Sequence, residues 1–82
     1  MAFSLPVVLS IAGSDCSGGA GIQADLKTFT ALGCYGMTAI TSVVAETPAV
    51  VDSIQLLEPD IIGAQIRFSQ KECPWRLPRR VC

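Results

Sequence analysis

The chain has 82 residues, of which half are hydrophobic and 16% are charged, and its formal net charge is −1. This length allows at most one small domain, and the apolar composition excludes an intrinsically disordered chain and is typical of the interior of a larger α/β protein. Because the sequence contains no histidine, a Ser-His-Asp triad is excluded, and we expect no metal-binding residues.

An apolar segment near the amino terminus leads into a glycine-rich turn. Residues 6–12, PVVLSIA, lie between a proline and a glycine and predict a strand that is buried on both faces. Gly13, Gly18, Gly19 and Gly21 follow, where a helix is expected to begin. Glycines let the backbone approach a ligand closely, and the free amides of a first helical turn favour an anionic or strongly hydrogen-bonding ligand. The same pattern also occurs in plain connectors, so both roles stay open.

An amphipathic helix is predicted after this turn. Ile22, Leu26 and Phe29 lie on one stripe at helical spacing, which is the expected core face. Asp25 lies at the margin of that face, about 60° from Ile22 on a helical wheel. Asp25 is therefore the acid expected to meet a partner other than water, and the alternative is an acid that only complements the helix dipole. Lys27 points away from the core face and is expected to be solvated.

Two further strands and another helix are predicted. The β-branched runs at 36–46 and 50–57 predict the strands, and Pro59 predicts the first turn of the helix. Strand, helix and strand in succession predict a right-handed parallel βαβ unit, in which ligands bind beyond the carboxyl ends of the strands. Residues 13–17 and 44–47 are therefore expected to border one crevice.

The balance of charge changes at residue 67. Up to residue 66 the chain has one basic and six acidic residues, whereas from residue 67 onward it has five basic and one acidic. A basic tail can bind nucleic acid or a membrane surface. Because Pro74 and Pro78 interrupt any helix and the segment between them offers only Trp75 for stacking, we predict no nucleic-acid partner and no membrane partner.

Neither the amino terminus nor the cysteines indicate secretion. Residues 1–13 are apolar, but they lack a basic n-region and a cleavage site and are too short to span a bilayer. The four cysteines show no CxxC pairing, so we expect reduced thiols. These features predict a cytoplasmic protein.

Three stretches of the chain carry a resemblance to a known family. They are AGSDCSGGAGIQADLKT at 12–28, AITSVVAET at 39–47 and VDSIQLLEPDIIGAQI at 51–66. Together they resemble the amino-terminal part of the hydroxymethylpyrimidine/phosphomethylpyrimidine kinases of thiamine biosynthesis, in the ribokinase-like superfamily. The resemblance implies an α/β fold with a ribokinase-like, Rossmann-like parallel βαβ start. Residues 1–66 are then part of a kinase domain that this chain leaves incomplete.

The resemblance implies ATP-dependent phosphorylation of the hydroxymethyl group of a 4-aminopyrimidine, and then of the resulting monophosphate. It assigns the pyrimidine pocket to this segment, with Gly13 and Ala20 lining it. Asp25 would hydrogen-bond the aminopyrimidine and Val44 would pack on its ring. The family commonly has glutamine at the position of Glu46, where it bonds the amide-like edge of the ring. An ionised glutamate only accepts hydrogen bonds, so the ring contacts or the second-step substrate are expected to change.

The resemblance also implies ATP and Mg²⁺ as cofactors of the intact enzyme, and a homo-oligomeric assembly. The family's late glycine-rich catalytic turn and the group that helps to deprotonate the hydroxyl lie beyond residue 82. No catalytic residue is therefore assigned in this chain. Because phosphoryl transfer depends on positioned charge stabilisation, we expect this chain alone to hold no cofactor and to be inactive.

The end of the chain departs from the family pattern, which continues as a helix and then a strand that ends in Lys-x-Gly-Met. If the codons are regrouped to begin one base earlier, residues 78–82 can encode Lys-Thr-Gly-Met. We therefore predict that 67–82 is a non-homologous, disordered tail, read out of frame after a change near Arg67 or Phe68.

Three other functions stay open. Residues 19–24, GAGIQA, match the G-x-G-x-x-G/A fingerprint of an NAD-binding Rossmann domain, with Glu46 as the ribose acid, although residues 13–18 separate this fingerprint from the strand. A pyridoxal-type vitamin kinase is the nearest alternative within the superfamily. The third is non-catalytic, either a truncated product without function or an interaction module that uses its apolar surface.

Overall fold

The computed structural model describes residues 5–72. Within that range the chain forms three strands and two helices in the order β1 (Val7–Asp15), α1 (Gly21–Ala31), β2 (Tyr35–Glu46), β3 (Val51–Leu56) and α2 (Pro59–Glu72). This order agrees with the predicted one. Neither helix in the described part of the chain is long and apolar enough to cross a membrane.

The three strands form one sheet with β2 in the middle. β1 pairs with β2 in parallel, which confirms the predicted βαβ start, whereas β3 pairs with β2 antiparallel. The reversal follows from a tight turn between β2 and β3, in which the amides and carbonyls of Thr47 and Val50 bond each other at 2.8 and 3.2 Å. Since a parallel pair requires a long crossover connection, a turn this short produces a hairpin and a mixed sheet.

β1 runs three residues beyond its predicted end because its pairing with β2 resumes after an irregularity. Ala12 lies opposite Ile40, but Ser14 already lies opposite Val43, so β2 uses one more residue than β1 in this interval. Gly13 lies within the irregularity, and a Cβ built there would be 2.6 Å from Oγ of Ser42. A side chain at Gly13 would therefore displace the Ser42 hydroxyl, whereas the nearest backbone atom of β2 is 3.7 Å away.

Helix α1 packs on β1 and β2 through the predicted stripe. Ile22 is buried, and Leu26 and Phe29 are half-buried. A Cβ at Gly36 would be 2.6 Å from Cδ2 of Leu26, so the absence of a side chain there lets the helix pack directly against the start of β2. The helix ends before Gly33, whose φ of +74° suits a glycine after a helix C-terminus.

The core is small, and several large apolar side chains stay exposed. In the described range the buried hydrophobic residues are Val7, Ile22 and Ala39. By contrast, Ile54 and Leu56 of β3 are 60% and 79% exposed. A core this limited agrees with a segment of a larger domain, because short chains bury a small share of their apolar surface.

Helix α2 covers part of the edge of β2 that β3 leaves unpaired. The side-chain amide of Gln65 accepts a hydrogen bond from the Ile40 amide at 2.8 Å and donates to the Ile40 carbonyl at 2.9 Å. Gln65 thus replaces a neighbouring strand at one position of the ladder. Buried backbone groups need such partners, so this contact anchors α2 to the sheet.

Helix α2 runs across the predicted domain boundary at residue 66, and residues 67–72 are helical rather than disordered. The hydroxyl of Ser69, a buried side chain, donates to the Ile66 carbonyl at 2.7 Å, and the Lys71 ammonium lies 4.0 Å from the centre of the Phe68 ring. These contacts stabilise the last turns despite the change in charge. Residues 73–82 lie outside the described range. The out-of-frame origin of the tail stays a prediction, which the DNA sequence of the gene across codons 66–68 would test.

Replacing Gln65 with alanine is expected to lower the free energy of unfolding by about 1–3 kcal/mol, because the amide and carbonyl of Ile40 lose their partner. Urea unfolding followed by circular dichroism measures the loss. Gln70→Ala is the matched control, since Gln70 is exposed on the same helix and its loss is expected to change stability by less than about 0.5 kcal/mol. Equal losses for the two variants would contradict the anchoring role of Gln65.

Candidate functional site

A cavity of about 360 Å³ lies at the carboxyl ends of β1 and β2. The loop after β1 lines one side of it, and the end of β2 with the following turn lines the other. The lining residues are Asp15, Ser17, Gly19, Ala20, Glu46, Thr47, Pro48, Ala49, Val50 and Val51. The predicted crevice between residues 13–17 and 44–47 is therefore present, and it lies where α/β folds bind their ligands.

Asp15 organises the loop that borders the cavity. Its side chain is 4% exposed and accepts hydrogen bonds from the Ser17 amide, the Ser17 hydroxyl and the Ala20 amide, each at 2.8 Å. The Ser17 hydroxyl is the main cause that holds the pKa of Asp15 below its ordinary value. Burial acts in the opposite direction and is outweighed by the hydroxyl and the two amides. Asp15 is thus an ionised carboxylate around which the turn folds.

Two side chains of α1 support the same loop from the outside. Gln23 accepts a hydrogen bond from the Asp15 amide and donates to the Ser14 hydroxyl, both at 2.8 Å. Lys27 is exposed as predicted, but its ammonium donates to the Gly18 carbonyl at 3.0 Å. Each of these contacts joins the helix to the turn that precedes it and so stabilises the loop.

Cys16 joins the loop to the end of β2. Its amide donates to the Val44 carbonyl at 3.4 Å. Its Sγ lies 3.3 Å from both the amide and the carbonyl of Glu46, accepting from the first and donating to the second. The thiol therefore takes the place of a ladder contact and fixes the backbone that carries Glu46.

Glu46 faces Asp15 across the cavity. Both side chains line the cavity, and the Glu46 side chain is half-buried. Burial is the main cause that raises the pKa of Glu46 above its ordinary value, and the charge of Asp15 and the hydrogen bond to it act in the same direction. Two carboxyl groups in contact cannot both be ionised without repulsion. A proton on Glu46 removes this repulsion.

Of the five predicted pocket residues, two line the cavity and three do not. Ala20 and Glu46 border the cavity, and Val44 pairs in register with Asp15 beneath it. Gly13 lies two residues before Asp15, in the irregular part of β1. Asp25 does not line the cavity, because its carboxylate accepts a 2.6 Å hydrogen bond from the Ser10 hydroxyl between α1 and β1.

Sequence reasoning placed Asp15 in the crevice but missed its role, together with those of Cys16 and Gln23. One signal was available for Asp15: an acid directly after a buried strand and before a glycine turn can accept the free amides of that turn. No sequence pattern indicated the role of Cys16, since its contacts with Glu46 join residues 30 positions apart in the chain.

The low pKa of Asp15 predicts a stability that depends on pH. Because the folded pKa lies below the unfolded one, the contribution of Asp15 is fully present above its ordinary value and is lost as the pH falls through the folded pKa. We expect the urea midpoint to fall between pH 6 and pH 3, by the linkage of proton binding to folding. In Asp15→Asn this part of the fall should disappear. An unchanged acid profile in that variant would contradict the assignment.

Comparison with known proteins identifies the family. The family model for phosphomethylpyrimidine kinase matches residues 15–76. The chain belongs to the phosphomethylpyrimidine kinase family. The matched residues include the whole lining of the cavity, and the match also extends past residue 66. The match to this kinase family sets aside the dinucleotide-binding alternative, so the glycine spacing at 19–24 is that of a kinase turn.

The chain is also similar to individual members of the phosphomethylpyrimidine kinase family. The chain is 59% identical over 58 residues to the hydroxymethylpyrimidine/phosphomethylpyrimidine kinase of Escherichia coli K12, covering 71% of this chain and 22% of that protein. The crystal structure of phosphomethylpyrimidine kinase from Clostridium difficile 630 is 50% identical, with a TM-score of 0.79. That match covers 83% of this chain and 31% of the solved one. This similarity confirms the ribokinase-like vitamin-kinase fold.

A second kinase has a similar fold. The pyridoxal kinase from Staphylococcus aureus, solved in complex with AMP-PCP and pyridoxal, is 41% identical, with a TM-score of 0.77, over 88% of this chain and 27% of that one. The chain therefore spans between about a fifth and a third of the length of these relatives. It corresponds to a short part of a kinase of this family.

Proposed function

We propose that this chain is the amino-terminal substrate-pocket segment of an ATP-dependent hydroxymethylpyrimidine/phosphomethylpyrimidine kinase acting in thiamine diphosphate biosynthesis. One observation carries the proposal: the stretch matched by the kinase family includes every described residue that lines the cavity beyond β1 and β2. A cavity of about 360 Å³ is within the range of small-molecule sites and suits a single heterocyclic ring.

In this proposal the pocket residues contact the aminopyrimidine as the family resemblance implies. Gly13 and Ala20 let the backbone approach the ring, and Val44 packs on it. Glu46 meets the polar edge of the ring. ATP and Mg²⁺ bind to parts of the intact enzyme beyond this segment, and the intact enzyme is a homo-oligomer located in the cytoplasm.

Asp25 hydrogen-bonds the amino group of the pyrimidine in this proposal. The Asp25 side chain is half-buried and uses Oδ2 to accept the Ser10 hydroxyl. Within residues 5–72 no donor bonds Oδ1, so that oxygen is available to an amino group. The Ser10 hydroxyl fixes the orientation of the carboxylate, which lowers the entropy that is lost when a ligand binds.

A chimera tests the proposed function. The 58 aligned residues of this chain replace their counterparts in the Escherichia coli kinase, and ATP-dependent phosphorylation of 4-amino-5-hydroxymethyl-2-methylpyrimidine is measured. We expect an active enzyme, because the segment supplies a compatible pocket. In the same chimera, Asp25→Ala should lower kcat/KM about 100-fold or more, the loss expected when a hydrogen bond to a buried polar group is removed. A folded chimera that does not phosphorylate the pyrimidine would overturn the proposal.

A pyridoxal-type kinase is the second candidate, favoured by the 41% identity to the Staphylococcus aureus pyridoxal kinase over 88% of this chain. The two candidates differ in the ring that the pocket accepts. Assaying the chimera with pyridoxal and with the aminopyrimidine separates them. A kcat/KM that is higher for pyridoxal would favour the second candidate.

A further inference from the structure

The two carboxyl groups of the cavity differ in what surrounds them. Donors already reach both oxygens of Asp15: the Ser17 amide and hydroxyl bond Oδ1, and the Ala20 amide and the same hydroxyl bond Oδ2. Among the described residues Glu46 has no such set of donors, and its side chain lines the same cavity as Asp15. Asp15 is therefore the carboxylate of the pair and Glu46 the acid, because the negative charge is most stable where donors surround it.

We propose that Asp15 is a positioning residue for Glu46: its carboxylate accepts a hydrogen bond from the protonated Glu46 carboxyl group, so that the second Glu46 oxygen faces the cavity as a neutral hydrogen-bond acceptor. In this arrangement the pair carries one negative charge instead of two. The neutral oxygen accepts a hydrogen bond from an N–H group of a heterocyclic ligand, and this ligand class rests on the proposed function above.

The groups that face Glu46 from the neighbouring elements are consistent with this arrangement. From the loop after β1 come Asp15 and the Cys16 thiol, which bonds the Glu46 backbone. From β3 the register partner is the apolar Val51. The nearest basic group on α1 is that of Lys27, and it is held by the Gly18 carbonyl. Among the described residues no cation pairs with Glu46, so no positive charge favours its ionised form.

The single negative charge has a consequence for ligands that carry a phosphate. When Glu46 loses its proton, the cavity gains a second negative charge, and its repulsion of a phosphorylated ligand increases. An unphosphorylated ring is affected less. Affinity for a phosphorylated heterocycle should therefore fall with rising pH more steeply than affinity for the unphosphorylated one. The protonation of Glu46 thereby sets the preference of the cavity between the phosphorylated and the unphosphorylated heterocycle.

Carbon-13 NMR of the full 82-residue chain tests the arrangement without a ligand. The Glu46 carboxyl should titrate at a higher pH than the same glutamate in a free peptide of residues 43–49. Asp15→Asn should lower the Glu46 midpoint, because the charge and the acceptor of its proton are weakened. Lys27→Ala is the matched control: it removes the bond from α1 to the Gly18 carbonyl and so loosens the loop, but it leaves Asp15 and its donors in place, so the raised midpoint should persist. A wild-type midpoint equal to that of the peptide, or one unchanged by Asp15→Asn, would overturn the proposal.

Glu46→Gln supplies the second measurement, because the glutamine amide donates to Asp15 at every pH. The N–H of Ala20 bonds Asp15. In the wild type, amide exchange at Ala20 should increase with pH more steeply than the intrinsic exchange rate does. In Glu46→Gln it should increase only as the intrinsic rate does. Identical exchange profiles in the two proteins would contradict the role of Asp15. Both measurements are independent of the kinase assay. A confirmed carboxyl pair together with an inactive chimera would reject the proposed function alone.

Discussion

The 82-residue chain, incubated with ATP, Mg²⁺ and 4-amino-5-hydroxymethyl-2-methylpyrimidine, is expected to form no phosphorylated product above a protein-free blank. Phosphoryl transfer requires cations and amide donors positioned around the transferring group. Within residues 5–72 the lining of the cavity contains two acidic side chains and no basic one, so this lining repels a triphosphate. The measurement is product formation followed by mass spectrometry.

The control for this experiment is the chimeric kinase under the same conditions, which should convert the pyrimidine. The inactivity of the short chain then reflects what it lacks and not a defective pocket. Since the chain spans 22% of the length of the Escherichia coli enzyme, most of the charge-stabilising groups of a family member lie outside it. Turnover by the purified short chain would show that its own residues suffice for catalysis.

Gly21→Ala is expected to lower the free energy of unfolding by about 3–5 kcal/mol, enough to unfold a chain of this size. Gly21 has a φ of +63°, a left-handed conformation that costs an alanine about 1–2 kcal/mol. In addition, a Cβ at Gly21 would overlap the carbonyl oxygen of Gly13 and lie 3.3 Å from the Asp15 amide. Far-UV circular dichroism and urea unfolding measure the effect.

Gly33→Ala separates the two causes. Gly33 also has a positive φ, of +74°, but nothing lies within 4 Å of a Cβ built there. This variant should therefore lose about 1 kcal/mol, the cost of the backbone conformation alone. If the two variants lost the same stability, the close contact between Gly21 and Gly13 would not be the reason for glycine at the start of α1.

The order of the elements followed from the sequence because it depends on local patterns. The apolar runs of β1 and β2, the stripe of α1 and the proline at the start of α2 each act within a few residues, so periodicity and turn chemistry reveal them. The crevice followed as well, since two parallel strands in succession place their carboxyl ends side by side. The family was recognisable because the glycine motif is long and uninterrupted.

The roles of individual side chains in the site could be inferred only in part. Ala20 and Glu46 were expected at the pocket, and both line the cavity. Asp25 was expected to bond the ligand, which stays a proposal, and the sequence did not reveal that its carboxylate also bonds Ser10 between the helix and the sheet. Position on a helical wheel shows which face a residue occupies but does not reveal which side chain of the neighbouring strand lies opposite.

The sequence by itself determined the class of fold, the position of the glycine turn and the likeness to a vitamin kinase, because these depend on neighbouring residues along the chain. The tertiary structure alone decided that β3 returns antiparallel, that Gln65 takes the place of a strand at Ile40, and that Asp15 and Glu46 line one cavity. Each of these joins groups brought together by strand register or helix docking. The state of a carboxyl group depends on the charges and donors around it in space, so the pairing of Asp15 with Glu46 emerges only when β1 and β2 lie side by side.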